Sequence, residues 1–312
     1  MILKIILLLV VLALLGFSIY LLYTEVPIIH QANIFDSKSL PEKIPEELLN
    51  VRTLQFYSNM RFNHLPITYF MALECNQERL SNMKLAISML EEKTLISFQQ
   101  INSEQDADVK VGCDERSYKE EGMFIAGHGG PSVIINATPW SVIKKGVITL
   151  FTESCNANIE LHELLHALGF DHSPNPQNIM YNISSCDQKL RDDIIQELNR
   201  LYKQEPLADL YLKNISAVKQ GRYLKNIRFG VFNRGLLDAD NVEVNLYADD
   251  ELVKTFDIDE GIEIGAGRNI IVDNLRLPKL SVEQIKLVAD PKNYIKEINE
   301  DDNTAILKQV VE

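Results

Sequence analysis

The chain has 312 residues, is 46% hydrophobic, and carries a net charge of −13 at neutral pH with a pI near 5.0. That length holds two domains of ordinary size plus additional segments. So acidic a chain repels phosphates, which argues against nucleic acid as a partner.

Residues 1–23 are almost wholly apolar. Lys4 is the only charged side chain before Glu25, and the run from Ile5 to Tyr23, about nineteen residues, is long enough to span a bilayer. No small-x-small cleavage site follows the apolar core, so the segment reads as an uncleaved transmembrane anchor, with secretion after signal cleavage as the alternative. Lys4 places the N-terminus inside and the body outside the cell by the positive-inside rule. Residues 24–65, punctuated by Pro27, Pro41 and Pro45, read as a stalk. Part of it could also cover a binding cleft, and His30 and His64 read as loop residues.

A compact domain is expected over 66–205. Ile67–Ala72 is rich in β-formers and predicts a strand. Asn76 is a candidate N-cap, and Leu80, Met83, Ile87 and Leu90 recur at helical spacing, predicting a helix to about Gln100. Asp108–Gly112 and Gly146–Thr152 read as strands, and Gly127-His128-Gly129-Gly130-Pro131 as a glycine-rich loop on the rim of a site. Ser132–Asn136 after it predicts an edge strand against which an extended peptide can lie. Ser185-Cys186-Asp187-Gln188 fits a capping box, ahead of a closing helix whose stripe is Leu190, Ile194, Leu198 and Leu201.

Between these elements the chain reads H-E-L-L-H-A-L-G-F-D-H from His162 to His172, with Met180 eight residues later. On a helix, His162 and His166 are one turn apart and project from the same face, so both can hold one metal ion. Gly169 can adopt the left-handed conformation that ends a helix and turns the chain, bringing His172 back as a third ligand. Three neutral imidazoles leave a zinc ion one open position, the arrangement of a catalytic site. Glu163, beside the first ligand, is placed as general base.

The motif H-E-x-x-H-x-x-G-x-x-H followed by a methionine turn resembles the metzincin clan of zinc endopeptidases. Ser173 and the run Pro174 to Tyr181 are most similar to the matrixins, the matrix-metalloproteinase family. The resemblance implies an α+β zincin-like catalytic domain with a twisted mixed sheet and three helices. It also implies one catalytic Zn²⁺ on His162, His166 and His172, a protein or peptide substrate, and Met180 as an apolar floor to the site. Matrixin propeptides cap the zinc with a cysteine, and none precedes Cys75, so that form of latency does not apply. His128 alone does not supply the histidines of a matrixin's second zinc site, and a calcium site is left open without assignable residues. Asn182 stands where other metzincins carry a tyrosine ligand, so no such ligand is assigned.

Four cysteines, Cys75, Cys113, Cys155 and Cys186, fit two disulfides in an exported body. Three pairings are open. The favoured one joins Cys75 to Cys113, tying the first helix to a later strand, and Cys155 to Cys186, bracketing the metal-binding helix and its turn.

From 208 to 312 the pattern changes to short alternating strands, such as Ile227-Phe229-Val231, Val242-Val244-Leu246 and Ile285-Leu287, separated by turns. About seven such strands predict an all-β, immunoglobulin-like sandwich. Asp209-Leu210-Tyr211, Val231–Gly235, Asp290–Asn293 and Glu297–Asn303 resemble CARDB modules of prokaryotic surface proteins. The acidic run 297–302 reads as a solvated loop, with calcium binding as the alternative. The combined expectation is a membrane-anchored extracellular zinc endopeptidase. Its competitor is a cell-surface adhesion protein in which the sandwich binds a surface partner and the metal site is idle or structural.

Overall fold

The computed structural model describes residues 33–36, 54–116, 118–120, 123–151 and 156–309. The expected anchor at 1–23, His30 and Cys155 lie outside them. Among the described residues no helix is long and apolar enough to cross a membrane. In chain order the strands of the first half are β1 (Asn33–Asp36), β2 (Met60–Phe62), β3 (Ile67–Met71), β4 (Phe98–Gln100), β5 (Val109–Cys113), β6 (Tyr118–Glu120), β7 (Met123–Ile125), β8 (Gly127–Ala137) and β9 (Trp140–Leu150). The helices are α1 (Gln77–Lys93), α2 (Asn158–Ala167) and α3 (Asp192–Lys203).

The N-terminal domain is a mixed sheet with these three helices. β2, β9, β5, β3 and β4 are parallel, and β8 pairs antiparallel with the opposite side of β9, leaving it at an edge of the sheet. Asn76 caps α1 as expected, its side chain accepting from Arg79 N at 2.9 Å. The helix stops at Lys93 and does not reach Gln100, because Thr94 turns extended. The Thr94 hydroxyl donates to Leu90 O at 2.7 Å, and the β-forming residues beyond it pair as β4 along β3. Met83, Ile87 and Leu90 are buried in the core, as their spacing requires. The Cys75–Cys113 disulfide joins the start of α1 to the end of β5. Cys186 is also disulfide-bonded.

Two local expectations are corrected. Gly127–Pro131 is not a loop but the first half of β8, in register with Leu150 to Gly146. Ser185–Gln188 closes a turn, Ser185 N donating to Gln188 Oε1 at 2.9 Å, but α3 begins only at Asp192, after Arg191, which makes no side-chain cap. The stripe Leu190, Ile194, Leu198 and Leu201 is buried nonetheless.

Residues grouped with the stalk are structured too. β2 lies in the catalytic sheet with Met60 and Phe62 buried in the core. The buried Arg61 donates to the carbonyls of Leu201 and Gln204 at the end of α3, with its guanidinium over the Tyr202 ring. His64 pairs with Asp108 at 2.9 Å.

The C-terminal half contains β10 (Leu210–Gln220), β11 (Tyr223–Asn233), β12 (Val242–Ala248), β13 (Glu251–Ile258), β14 (Gly267–Arg276), β15 (Gln284–Ala289) and β16 (Thr304–Gln309). All pairings are antiparallel, in the order β13-β12-β15-β16-β1-β10-β11-β14, around a core that includes Leu210, Phe229, Val231, Val244, Leu246 and Leu287. β1 thus sits between β16 and β10 and closes the seam of the sandwich. Glu297 and Asn303 are buried, not solvated: Asn303 Nδ2 donates to Glu297 Oε1 at 2.7 Å, and Arg234 ties Asp209 (2.8 Å) to Asp302. The two domains share packing, since Leu236 and Ile264 of the sandwich belong to the core of the N-terminal domain, and Asn63 Nδ2 donates to Leu236 O at 3.0 Å.

Candidate active site

α2 is buried on every face from Ile159 to Ala167, its polar residues included, so tertiary packing holds a short helix that has no side-chain N-cap. It lies on β8 and β9, and its approach to β8 is set by glycines. A β-carbon on Gly129 would stand 2.3 Å from Glu163 O, and one on Gly127 would stand 2.8 Å from Glu163 Oε1. The helix carrying the motif therefore rests directly on the backbone of the edge strand. α2 ends at Ala167, and Gly169 just beyond its C-cap, with a φ of +96°, turns the chain as expected.

The three histidines converge. His162 Nε2 and His166 Nε2 are 2.9 Å apart, and His166 Nε2 and His172 Nε2 are 3.2 Å apart. The other ring nitrogens decide what these contacts are. His162 Nδ1 donates to Ile179 O and His166 Nδ1 to Phe170 O, each at 2.7 Å. With the proton held at Nδ1, each Nε2 presents a lone pair, so the facing nitrogens are acceptors that need a shared cation. Burial, with the neighbouring His166, depresses His162 to about 4, and burial also lowers His166, so both are neutral at pH 7. His162 and His166 are buried and His172 is exposed, so the group opens to solvent on the His172 side. This donor set fits a zinc ion: neutral imidazoles, oriented by backbone carbonyls.

Glu163 is 5% exposed. Burial, then the charge of Glu160, pushes its carboxyl up to about 8, and a cation held by the histidines favours its ionised, proton-accepting form. Glu160 is held by Arg79 of α1 at 2.7 Å. Met180 is fully buried, and its carbonyl accepts from Ser173 N at 2.7 Å, locking the residue after His172 to the methionine turn.

The roles of Ile179 O and Phe170 O belong to backbone atoms and have no signal in residue identity. Asn178, also missed, is fully buried: its Oδ1 accepts from Met180 N at 3.0 Å and its Nδ2 donates to Asp193 Oδ2 at 3.1 Å. The two-residue spacing to Met180, an Asx turn, is the signal that could have found it. Phe56 stacks on His166 with centroids 5.8 Å apart.

Residues 61–203 match the Matrixin family and residues 207–306 match CARDB. The chain carries a matrixin domain followed by a CARDB domain. No curated protein matches it. Over 34% of its length it is similar to the crystal structure of a CARDB domain from Pyrococcus furiosus in complex with di-metal ions, at 18% identity, 94% coverage of that chain and a TM-score of 0.28. It is similar over the same share to a solution structure of a domain from Methanosarcina acetivorans, at 21% identity, 95% coverage and a TM-score of 0.28. The matrixin domain brings the histidine triad, and the CARDB domain is the sandwich.

Proposed function

We propose that this chain is a zinc-dependent endopeptidase, held at the outer face of a membrane by residues 1–23. The observation that carries the reading is the convergence of three histidine Nε2 atoms, those of His162 and His166 left as acceptors by their Nδ1 hydrogen bonds, beside a buried carboxyl group. His162, His166 and His172 would hold the zinc. When bound, zinc supplies a Lewis acid that polarises a carbonyl and lowers the pKa of water to about 7. Glu163 accepts the proton of the attacking water and passes it to the leaving amine, for which its raised pKa suits it. β8 offers to an extended peptide, next to Glu163, the edge that no other described strand pairs, and the sandwich loop at Gly265 meets the far end of that strand at Ile135 and Asn136. The Cys75–Cys113 disulfide and the disulfide-bonded Cys186 fit an oxidising, extracellular location.

The test is hydrolysis of a mixed peptide library by the full chain with zinc, beside Glu163→Ala. The full chain is used because β2, Leu236 and Ile264 complete the catalytic core from outside 66–205. Cleavage by the parent alone, with equal zinc content in both proteins, is expected. Equal hydrolysis by Glu163→Ala sinks the proposed role of Glu163.

A further inference from the structure

His166 is held at two points: Nδ1 donates to Phe170 O at 2.7 Å, and its ring face lies against Phe56, with centroids 5.8 Å apart and planes 21° apart. Phe170 sits in the turn after α2, and the peptide groups on both sides of it are fixed by the segment before β2. Phe56 N donates to Gly169 O at 3.0 Å and Asp171 N to Leu54 O at 2.6 Å, with Gln55 bridging Phe170 antiparallel. Gln55 then closes on Met60, its Nε2 donating to Met60 O at 2.7 Å and its Oε1 accepting from Met60 N at 2.9 Å. Met60 is fully buried and packs under Gly169, where a β-carbon would stand 2.5 Å from its Sδ. The segment is therefore anchored in the catalytic sheet at one end and grips the turn that orients a metal ligand at the other.

We propose that Leu54–Phe56 is a clip for the metal site, with Phe56 and Gln55 as positioning residues for His166. The inference rests on the zinc reading of the three histidines. Phe56 is 39% exposed, so its removal opens little core. Its effect is on the orientation of His166, and hence on metal affinity and ligand geometry. A residue that merely filled space would act on stability alone.

The experiment measures zinc affinity by chelator competition and the visible absorption of the cobalt(II) form in the full-length protein, for the parent, Phe56→Ala, Phe56→Tyr and Gln55→Ala. Loss of an outer partner of a metal ligand weakens binding roughly 10- to 100-fold. That loss is expected for Phe56→Ala and Gln55→Ala, with an altered cobalt spectrum, and Phe56→Tyr should restore both. Zinc bound by Phe56→Ala as tightly as by the parent, with an unchanged cobalt spectrum, overturns the clip. So does a rise in peptide hydrolysis, which would make the segment a cover over the cleft. If Phe56→Ala does not fold, Phe56→Leu, which keeps apolar bulk without the ring, is read by the same criteria. A parent that binds no zinc sinks the zinc reading itself, a result distinct from equal binding by parent and variants, which sinks the clip alone.

Discussion

Three glycines within four residues of β8 meet the helix of the histidine motif differently, so alanine at each has its own expected outcome. At Gly129 a β-carbon would stand 2.3 Å from Glu163 O, 2.9 Å from Glu163 C and 3.0 Å from its Cα, all of them backbone atoms of α2. Restoring ordinary contact moves the helix by about 1 Å, and overpacking of this kind costs roughly 1–3 kcal/mol. At about 2–4 °C per kcal/mol for a domain of this size, Gly129→Ala should lower Tm by roughly 2–12 °C. Because α2 carries His162, Glu163 and His166, a shift of about 1 Å should also cost on the order of 100-fold in kcat/KM. At Gly127 the obstacles are Cγ, Cδ and Oε1 of Glu163, 2.7–2.9 Å away, which can yield by side-chain rotation. Gly127→Ala should therefore lose activity with little loss of Tm. At Gly130 nothing lies within 4 Å, so Gly130→Ala should keep activity and gain about 0.4–1 kcal/mol from the stiffer unfolded chain. Thermal unfolding and peptide hydrolysis of the three variants together decide the matter. A Gly129→Ala protein as stable and active as Gly130→Ala refutes the seating of α2 on the bare strand.

Other outcomes follow from buried charge and from the metal. Arg79→Met leaves Glu160, fully buried, without its cation and should cost about 3–5 kcal/mol by urea unfolding, with much of the loss recovered in Arg79→Met/Glu160→Gln; an additive double variant would show that the pair is not coupled. Burial pushes Glu297 up to about 8 from 4.5, a raised folded-state pKa. The stability it contributes is complete below pH 4.5 and is lost as pH rises toward 8, with a slope of about 1.4 kcal/mol per pH unit. Glu297→Gln should flatten that slope in denaturation series across the window, and an unchanged slope assigns it to other groups. Removing zinc with a chelator should lower Tm of the parent and of Glu163→Ala alike, since ligand binding to the native state stabilises it whether or not catalysis occurs; a Tm indifferent to chelation counts against a bound metal.

The spacing of His162, His166, Gly169 and His172 was legible because helical period and glycine stereochemistry are local, and the structure brings the three rings together. The stripe of α1, the stripe of α3 and the alternation of the sandwich were legible for the same reason: each follows from the period of one segment. The end of α1 was missed because Thr94 and the residues after it gain more by pairing along β3 than by extending a helix, a choice made between distant segments. The glycine-rich run was read as a loop because the reason for its glycines, the backbone of α2 lying on them, is on another element. Tertiary structure alone decided that β1 closes the sandwich between β16 and β10, that Leu54–Phe56 grips the turn after α2, and that Ile179 O and Phe170 O orient the histidines. Those contacts run to backbone groups that every residue type shares, and all but that of His166 with Phe170 O join residues well separated in sequence, so residue identity by itself carries no record of them.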